Sequence, residues 1–235
     1  MALLYVDQVM VRFGGVMAVS GATFMAHAGE VTGLIGPNGA GKTTLFNVIT
    51  GIQEPTAGAV SLDGEDITHL APHKRAHRGV ARTFQRLELF SSLSVRDNIR
   101  VAAELAMLTN VSSTVDSLLE RVGLGEVADR VAGDLPTGSA RLVEIARALA
   151  TKPRLLLLDE PASGLSDIES EHLGRLLRSL AAEGLGVLLV EHDMDLVMRV
   201  CDHIFVLDLG VIIADGTPDE IRADQRVLEA YLGAS

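Results

Sequence analysis

Val31-Thr-Gly-Leu-Ile35-Gly36-Pro37-Asn38-Gly39-Ala40-Gly41-Lys42-Thr43-Thr44-Leu45-Phe46-Asn47-Val48-Ile49-Thr50 decides how the rest of the chain is read. Its first five residues make an apolar run of strand length, and from Lys42 the pattern changes to that of a helix, with Gly51 placed to cap it. Between the two, Gly36 to Thr43 fits GxxxxGK[ST], a loop whose backbone N–H groups and following helix N-terminus cradle phosphate oxygens. The glycines let the backbone curl around a phosphate with no Cβ in the way. Lys42 is placed to bridge the β- and γ-phosphates of a nucleotide and the Thr43 hydroxyl to ligate Mg²⁺. The competing reading, a glycine turn that merely caps a helix, is weakened by the strand directly before the loop.

Outward from this unit, strands alternate with helices. Leu3 to Val11 and Ala22 to Ala26 show period-2 patterning, Ala59 to Leu62 runs into an Asp63-Gly64 turn, a short helix follows Pro72, and Val80 to Gln85 reads as a strand. Ser94 to Met107, Ser113 to Val122 and Ser139 to Ala150 are helical patterns with Ser before the apolar positions. Residues 87–137 read as a helical subdomain set into a core of residues 1–86 and 138–235. The strand and helix alternation resumes with Arg154 to Asp159, a helix from Ser166 to Glu183, Val187 to Val190, a helix from Met194, His203 to Leu207, Val211 to Ala214 and closing helices. Such alternation implies a mainly parallel sheet.

The composition agrees with a globular protein: 235 residues, 48% hydrophobic and 22% charged, with 20 basic against 31 acidic residues and a net charge of −11. That acidity disfavours nonspecific nucleic-acid binding, and the basic cluster His73, Lys74, Arg75, His77 and Arg78 reads as the solvated face of a short helix. The longest stretch free of charged side chains, Phe13 to Gly29, is broken by Gly, Ser, Thr and His, so no segment is expected to span a bilayer. The opening MALLYVDQVM lacks a basic n-region and a continuous apolar run, and the lone Cys201 reads as a small buried helix residue. A cytosolic protein that reaches a membrane only through a partner is expected. In the tail, Gln225 to Leu232 is amphipathic, with Val227, Leu228 and Leu232 expected to pack on the sheet.

Leu155-Leu-Leu-Leu158-Asp159-Glu160 is an apolar run that ends in two carboxylates, which suits a central parallel strand with its C-terminal end at a ligand crevice. Two adjacent acids there call for a cation: Asp159 is placed to hold Mg²⁺ through water, and Glu160 to orient and deprotonate an attacking water. Two further segments, Arg82-Thr83-Phe84-Gln85 and Val190-Glu191-His192, also read as strand ends. On their own, Gln85 would be a solvated polar residue and His192 a structural one.

Taken in order, the phosphate loop, Gln85, the Leu135-Pro136-Thr137-Gly138-Ser139 segment before a helix, the strand ending in Asp159-Glu160-Pro161 and the late His192 resemble the nucleotide-binding subunits of ATP-binding cassette (ABC) transporters. The resemblance covers nearly the whole chain. It implies a P-loop α/β fold of ABC-ATPase type, with a mainly parallel sheet core, an N-terminal antiparallel β subdomain and an inserted helical subdomain. ATP would be bound by Gly36, Pro37, Asn38, Gly39, Ala40, Gly41, Lys42, Thr43 and Thr44. Gln85 resembles the family's Q-loop glutamine, which contacts Mg²⁺ and the attacking water, and His192 its switch histidine. Catalysis would thus fall to Lys42, Gln85, Glu160 and His192, and metal binding to Thr43, Gln85 and Asp159. Phe13 occupies the place of an aromatic that stacks on adenine, although a Phe beside Gly14-Gly15 fits a core strand equally.

The family's signature Leu-Ser-Gly-Gly-Gln becomes Leu135-Pro136-Thr137-Gly138-Ser139, of which Leu135 and Gly138 match, presented to the nucleotide of the opposite subunit. The D-loop, Ser163-Gly164-Leu165-Ser166-Asp167, has Ser166 in the usual Asp position. FGGVMAV, RTFQRLELF, EPASGLS, VEHDM and EAYLG resemble the branched-chain amino acid transport ATPases, with a shorter segment after Met107 than members of that group usually carry. The resemblance implies ATP and Mg²⁺, a second ATPase subunit in a homo- or heterodimer, two permease subunits, a solute-binding protein, and a place on the inner face of the plasma membrane. A soluble ABC ATPase working on DNA or ribosomes is the alternative; such proteins commonly carry coiled-coil insertions or two cassettes, and neither is present.

Overall fold

The computed structural model describes residues 2–232. β1 (Leu4–Phe13) and β2 (Val16–Ala26) form a long antiparallel hairpin around Gly14-Gly15, and after β3 (Val31–Ile35) and α1 (Lys42–Thr50), β4 (Ala57–Leu62) and β5 (Glu65–Asp66) complete a four-stranded sheet in the order β2-β1-β4-β5. Leu4, Val6, Val9 and Val11 of β1 face the core while Tyr5 and Met10 face out. The second sheet has β3, β6 (Val80–Arg82), β7 (Leu155–Asp159), β8 (Gly186–Val190), β9 (His203–Asp208) and β10 (Val211–Gly216) in the order β10-β9-β3-β8-β7-β6, parallel except for β10. β3, β7 and β8 are buried at all their positions, which is why they read as unbroken apolar runs.

Alternate residues of this sheet feed two cores. Leu155, Leu157, Leu188 and Val190 join the antiparallel sheet and α1, whereas Leu156, Leu158, Val187 and Leu189 join the helices on the opposite face. α2 (Pro72–His77) lies beside α1; α3 (Val95–Leu105), α4 (Val111–Arg121) and α5 (Thr137–Ala150) pack on one another; and α6 (Asp167–Ala182), α7 (Met194–Val200), α8 (Pro218–Ala223) and α9 (Gln225–Leu232) close the chain. Among the described residues no helix is long and apolar enough to cross a membrane.

Several local expectations are corrected. β2 begins at Val16, six residues before Ala22, because Gly21 (φ 78) bulges out of register between the Val9–Ala22 and Met10–Ser20 pairs and interrupts the alternation. β6 stops at Arg82, leaving Gln85 in a loop. α5 starts at Thr137 rather than Ser139, with Pro136 at the N-cap, where no helical N–H is needed. Cys201 caps α7 from just outside it, and its sulfur packs against Gly33, with burial pushing the thiol up to about 12.

Arg75 is no solvated residue. It is 2% exposed and donates to the carbonyls of Leu70, Val48, Ile49 and Thr68 at 2.6–2.8 Å, so a cation sits on the C-terminal end of α1. Burial lowers its pKa. In the tail Val227 is buried but Leu228 is 53% exposed, Tyr231 packs against the core instead, and the side chain of Leu232 lies outside the described residues.

Candidate functional site

The carboxyl ends of β3, β7 and β8 lie side by side, with Asp159 in register with Val190. This is the crevice where open α/β sheets take ligands. From β3 the chain turns through residues 36–41 into α1. Gly36 (φ 150) has no room for a side chain, since a Cβ would overlap the Leu207 carbonyl, and at Gly41 (φ 108) a Cβ would lie 2.6 Å from the Ala18 carbonyl oxygen. Lys42 folds back over the loop and donates to the carbonyls of Gly36 at 2.7 Å and Pro37 at 2.9 Å. Burial lowers its pKa, opposed by the charges of Glu160 and Asp159.

The N–H groups of Gly39, Gly41, Lys42, Thr43 and Thr44 meet no acceptor among the described residues. Asn38, Gly39 and Thr43 are exposed. A ring of free donors on a helix N-terminus with no acid in its first turn fits a phosphate chain. Phe13, the last residue of β1, is 50% exposed, so the core-strand reading of it falls.

Asp159 is 2% exposed and pairs through Oδ2 with Arg82 Nη2 at 2.8 Å. Glu160, just past β7, has φ 50, a left-handed backbone that costs a non-glycine residue about 1–3 kcal/mol. Its N–H donates to the Val190 carbonyl at 2.8 Å. The carboxylate is held at both oxygens: Gln85 Nε2 donates to Oε2 at 2.8 Å, and His192 Nε2 lies 2.7 Å from Oε1. Gln85, Glu160 and His192, distant in sequence, therefore meet at one carboxylate. No cluster of three or more His, Cys, Asp or Glu that could hold a metal occurs among the described residues. A cation near Thr43 and Asp159 would rest on few protein oxygens, the habit of Mg²⁺, which keeps waters and binds substrate phosphates.

Two supports were not legible as functional. Glu191, 3% exposed, accepts from the N–H groups of Ala162, His192 and Asp193 at 2.6, 2.8 and 3.2 Å, and so ties the segment after Glu160 to the one bearing His192. Burial pushes its carboxyl up, and those three N–H groups pull it back. On α5, Arg141 donates to the Phe84 carbonyl at 2.9 Å, to the Gln85 carbonyl at 2.5 Å and to Glu144 at 3.0 Å. Glu144 accepts from the Glu88 N–H at 2.7 Å, and Arg147 bonds the Glu88 carbonyl. One helix face thus grips the loop that carries Gln85. The signal available in the sequence was two charges, Arg141 and Glu144, at i, i+3 in an otherwise apolar stretch.

The same helix opens with the Leu135–Ser139 segment. The N–H groups of Thr137, Gly138 and Ser139 have no acceptor among the described residues. A Cβ at Gly138 would overlap the Glu169 carboxylate. That carboxylate closes the capping box of α6, accepting from the Ser166 N–H at 2.8 Å while Ser166 Oγ accepts from the Glu169 N–H. Donation from the Ser166 N–H and hydroxyl to that carboxylate lowers the Glu169 pKa. Ser166, in place of the expected Asp, is therefore a helix cap, and Gly164 (φ 80) abuts Thr137.

A phosphate cradle and a carboxylate set at the ends of neighbouring parallel strands, with an antiparallel sheet on one side and a helical layer on the other, make this a P-loop nucleotide-binding ATPase. The family model described as ABC transporter matches residues 19–163, and one described as branched-chain amino acid ATP-binding cassette transporter matches residues 211–235. The chain is 43% identical to the high-affinity branched-chain amino acid transport ATP-binding protein BraF of Pseudomonas aeruginosa and 41% identical to LivG of Escherichia coli, over 98% of each chain in both cases. Among solved structures, the ADP conformation of an ATP-binding cassette of an ABC transporter superposes with a TM-score of 0.90 at 33% identity, over 99% of each chain. The chain belongs to the ABC transporter ATP-binding subunits, of the branched-chain amino acid type.

Proposed function

We propose that this ATPase uses the residues named above as follows, with residues 87–137 as its helical subdomain. Gly36, Pro37, Asn38, Gly39, Ala40, Gly41, Lys42, Thr43 and Thr44 bind the ATP phosphates, and Phe13 stacks on adenine. Thr43, Asp159 and Gln85 hold Mg²⁺, which supplies charge neutralisation at the phosphates. Glu160 orients a water and takes its proton, held in place by Gln85 and His192. The free N–H groups of Gly138 and Ser139 complete the phosphate site of a second ATPase subunit, and Ser163 to Asp167 line the contact between the two.

The names of the relatives support a part in branched-chain amino acid transport. We extend this to import of those or related small polar solutes, with two permease subunits, a solute-binding protein and a place on the inner face of the plasma membrane. The observation that carries the reading is the double hold on Glu160, because a carboxylate fixed at both oxygens beside a phosphate cradle is placed for a base. Glu160→Gln keeps the shape and one acceptor oxygen but cannot take a proton. Steady-state hydrolysis should fall by roughly 10²- to 10⁴-fold while ATP binding persists. A loss below tenfold would remove Glu160 from the role of base.

A further inference from the structure

Arg82 is the last residue of the edge strand β6, in register with Leu157 of β7, so its side chain reaches across to Asp159 two residues further on. The ion pair is buried, with side chains 6% and 3% exposed. The other arm of the guanidinium, Nη1, donates to Asn47 Oδ1 on α1 at 2.6 Å. Its carbon lies 5.4 Å from the centre of the Phe46 ring and 5.0 Å from that of Phe84. The cation is therefore packed against two aromatics and joined to two elements.

A carboxylate this deep needs a counter-charge. Lys42 feels the charge of Asp159 but donates to the Gly36 and Pro37 carbonyls, so the counter-charge in direct contact is Arg82. Arg82 engages Oδ2 alone, and Oδ1 has no protein partner among the described residues. The planar fork, anchored on Asn47, thus sets the rotation of the carboxylate and leaves one oxygen over.

We propose that Arg82 is a positioning residue: it orients Asp159 toward the divalent cation and ties that carboxylate to the loop bearing Phe84 and Gln85. This rests on the assignment of Asp159 to the cation made above. Phe84 links the pair to the surface, since it is 42% exposed and lines a groove of about 350 Å³ together with Glu88, Glu144 and Arg147. A shift of Phe84 bears on the guanidinium, and through it on Asp159.

The test is binding of a fluorescent ATP analogue to the full chain, titrated in EDTA and in Mg²⁺, for wild type, Arg82→Gln, Arg82→Lys and Asp159→Asn. Arg82→Gln should bind the analogue in EDTA within about twofold of wild type yet lose roughly 10- to 100-fold in apparent Mg²⁺ affinity, the range for partners that orient a metal ligand. Arg82→Lys keeps the charge but not the fork and should fall between the two. The inference is overturned if Arg82→Gln responds to Mg²⁺ as wild type does, or if it weakens binding equally with and without Mg²⁺, as a merely structural residue would. Asp159→Asn separates the layers. If it too leaves the Mg²⁺ response intact, the cation assignment itself fails; if it abolishes the response while Arg82→Gln does not, only the role of Arg82 fails. Should Arg82→Gln not fold, Asn47→Ala, which removes the second anchor alone, must weaken the Mg²⁺ response more than binding in EDTA for the inference to stand.

Discussion

The two walls of the proposed nucleotide site are built by different means. On the phosphate-loop wall the groups left without an acceptor are backbone N–H groups, and their placement depends on left-handed or crowded glycines within six residues. On the carboxylate wall the groups are side chains, brought together from the loop after β6, the end of β7 and the segment after β8. The first wall is a local object and the second a product of tertiary packing. A local object fails by losing its shape, and with it the nucleotide; a packed network fails by letting a group drift, and with it the turnover.

The largest expected effect on nucleotide affinity lies on the first wall. Gly36→Ala drives a methyl into the Leu207 carbonyl, so the loop and β9 cannot both keep their places. Nucleotide affinity should fall on the order of 100-fold, about 3 kcal/mol, together with a lower melting temperature. A binding titration and a thermal melt check it, and near-normal affinity would show that the loop relaxes more freely than its packing suggests.

On the second wall, the double hold on Glu160 predicts non-additivity. Gln85→Ala and His192→Ala should each lower turnover by roughly 10- to 100-fold with ATP binding kept, and the double variant should be little worse than the weaker single one, because a carboxylate released at one oxygen already drifts. Fully additive losses would mean that the two residues act on the reaction separately.

A smaller effect is expected from the grip of α5 on the Gln85 loop. Arg141→Leu should lower turnover by about tenfold and also destabilise the fold, because it leaves Glu144 buried without its partner. Burial already raises the Glu144 pKa, with Arg141 among the groups opposing the rise. Adding Glu144→Leu should restore the melting temperature but not the turnover. If turnover returned with stability, the pair would matter only to packing.

The contrast between the walls also explains what could be read from the chain. The phosphate loop, the strand before it, the Gly51 cap and the buried strand ending at Asp159 were legible because each is a short contiguous pattern whose physics is local. Gln85 and His192 were legible only by resemblance, since nothing in RTFQ or VEHD states that both meet Glu160. The charged supports escape a reading of the sequence because a buried charge is recognised by its partners, most of which lie on other elements of the fold. Arg75 looked like one of five exposed bases because its four carbonyl acceptors sit on α1 and on the residues before Ala71. Nothing local to Arg82 announces its role, because its partner Asp159 is 77 residues away. Ser139 before the apolar positions resembles a helix cap, yet α5 starts two residues earlier, because Pro136 at the N-cap removes no helical donor.

Gly39→Ala gives the smallest effect and the sharpest view of the first wall, because it separates two reasons for needing glycine within one motif. Gly39 has φ 80, yet no protein atom lies within 4 Å of where its Cβ would be, whereas at Gly36 the obstacle is another part of the chain. Alanine at 39 therefore costs only the left-handed backbone, about 1–2 kcal/mol, offset by roughly 0.4–1 kcal/mol from the lower entropy of the unfolded chain. Stability should fall by no more than about 1.6 kcal/mol and ATP affinity by no more than about fivefold, since the free N–H groups keep their directions if the backbone holds. A melt and the same binding titration measure both quantities. If Gly39→Ala lost as much affinity as Gly36→Ala while melting normally, the missing Cβ at 39 would be needed by the nucleotide rather than by the fold, and the first wall would owe its glycines to close approach of phosphate more than to its own packing.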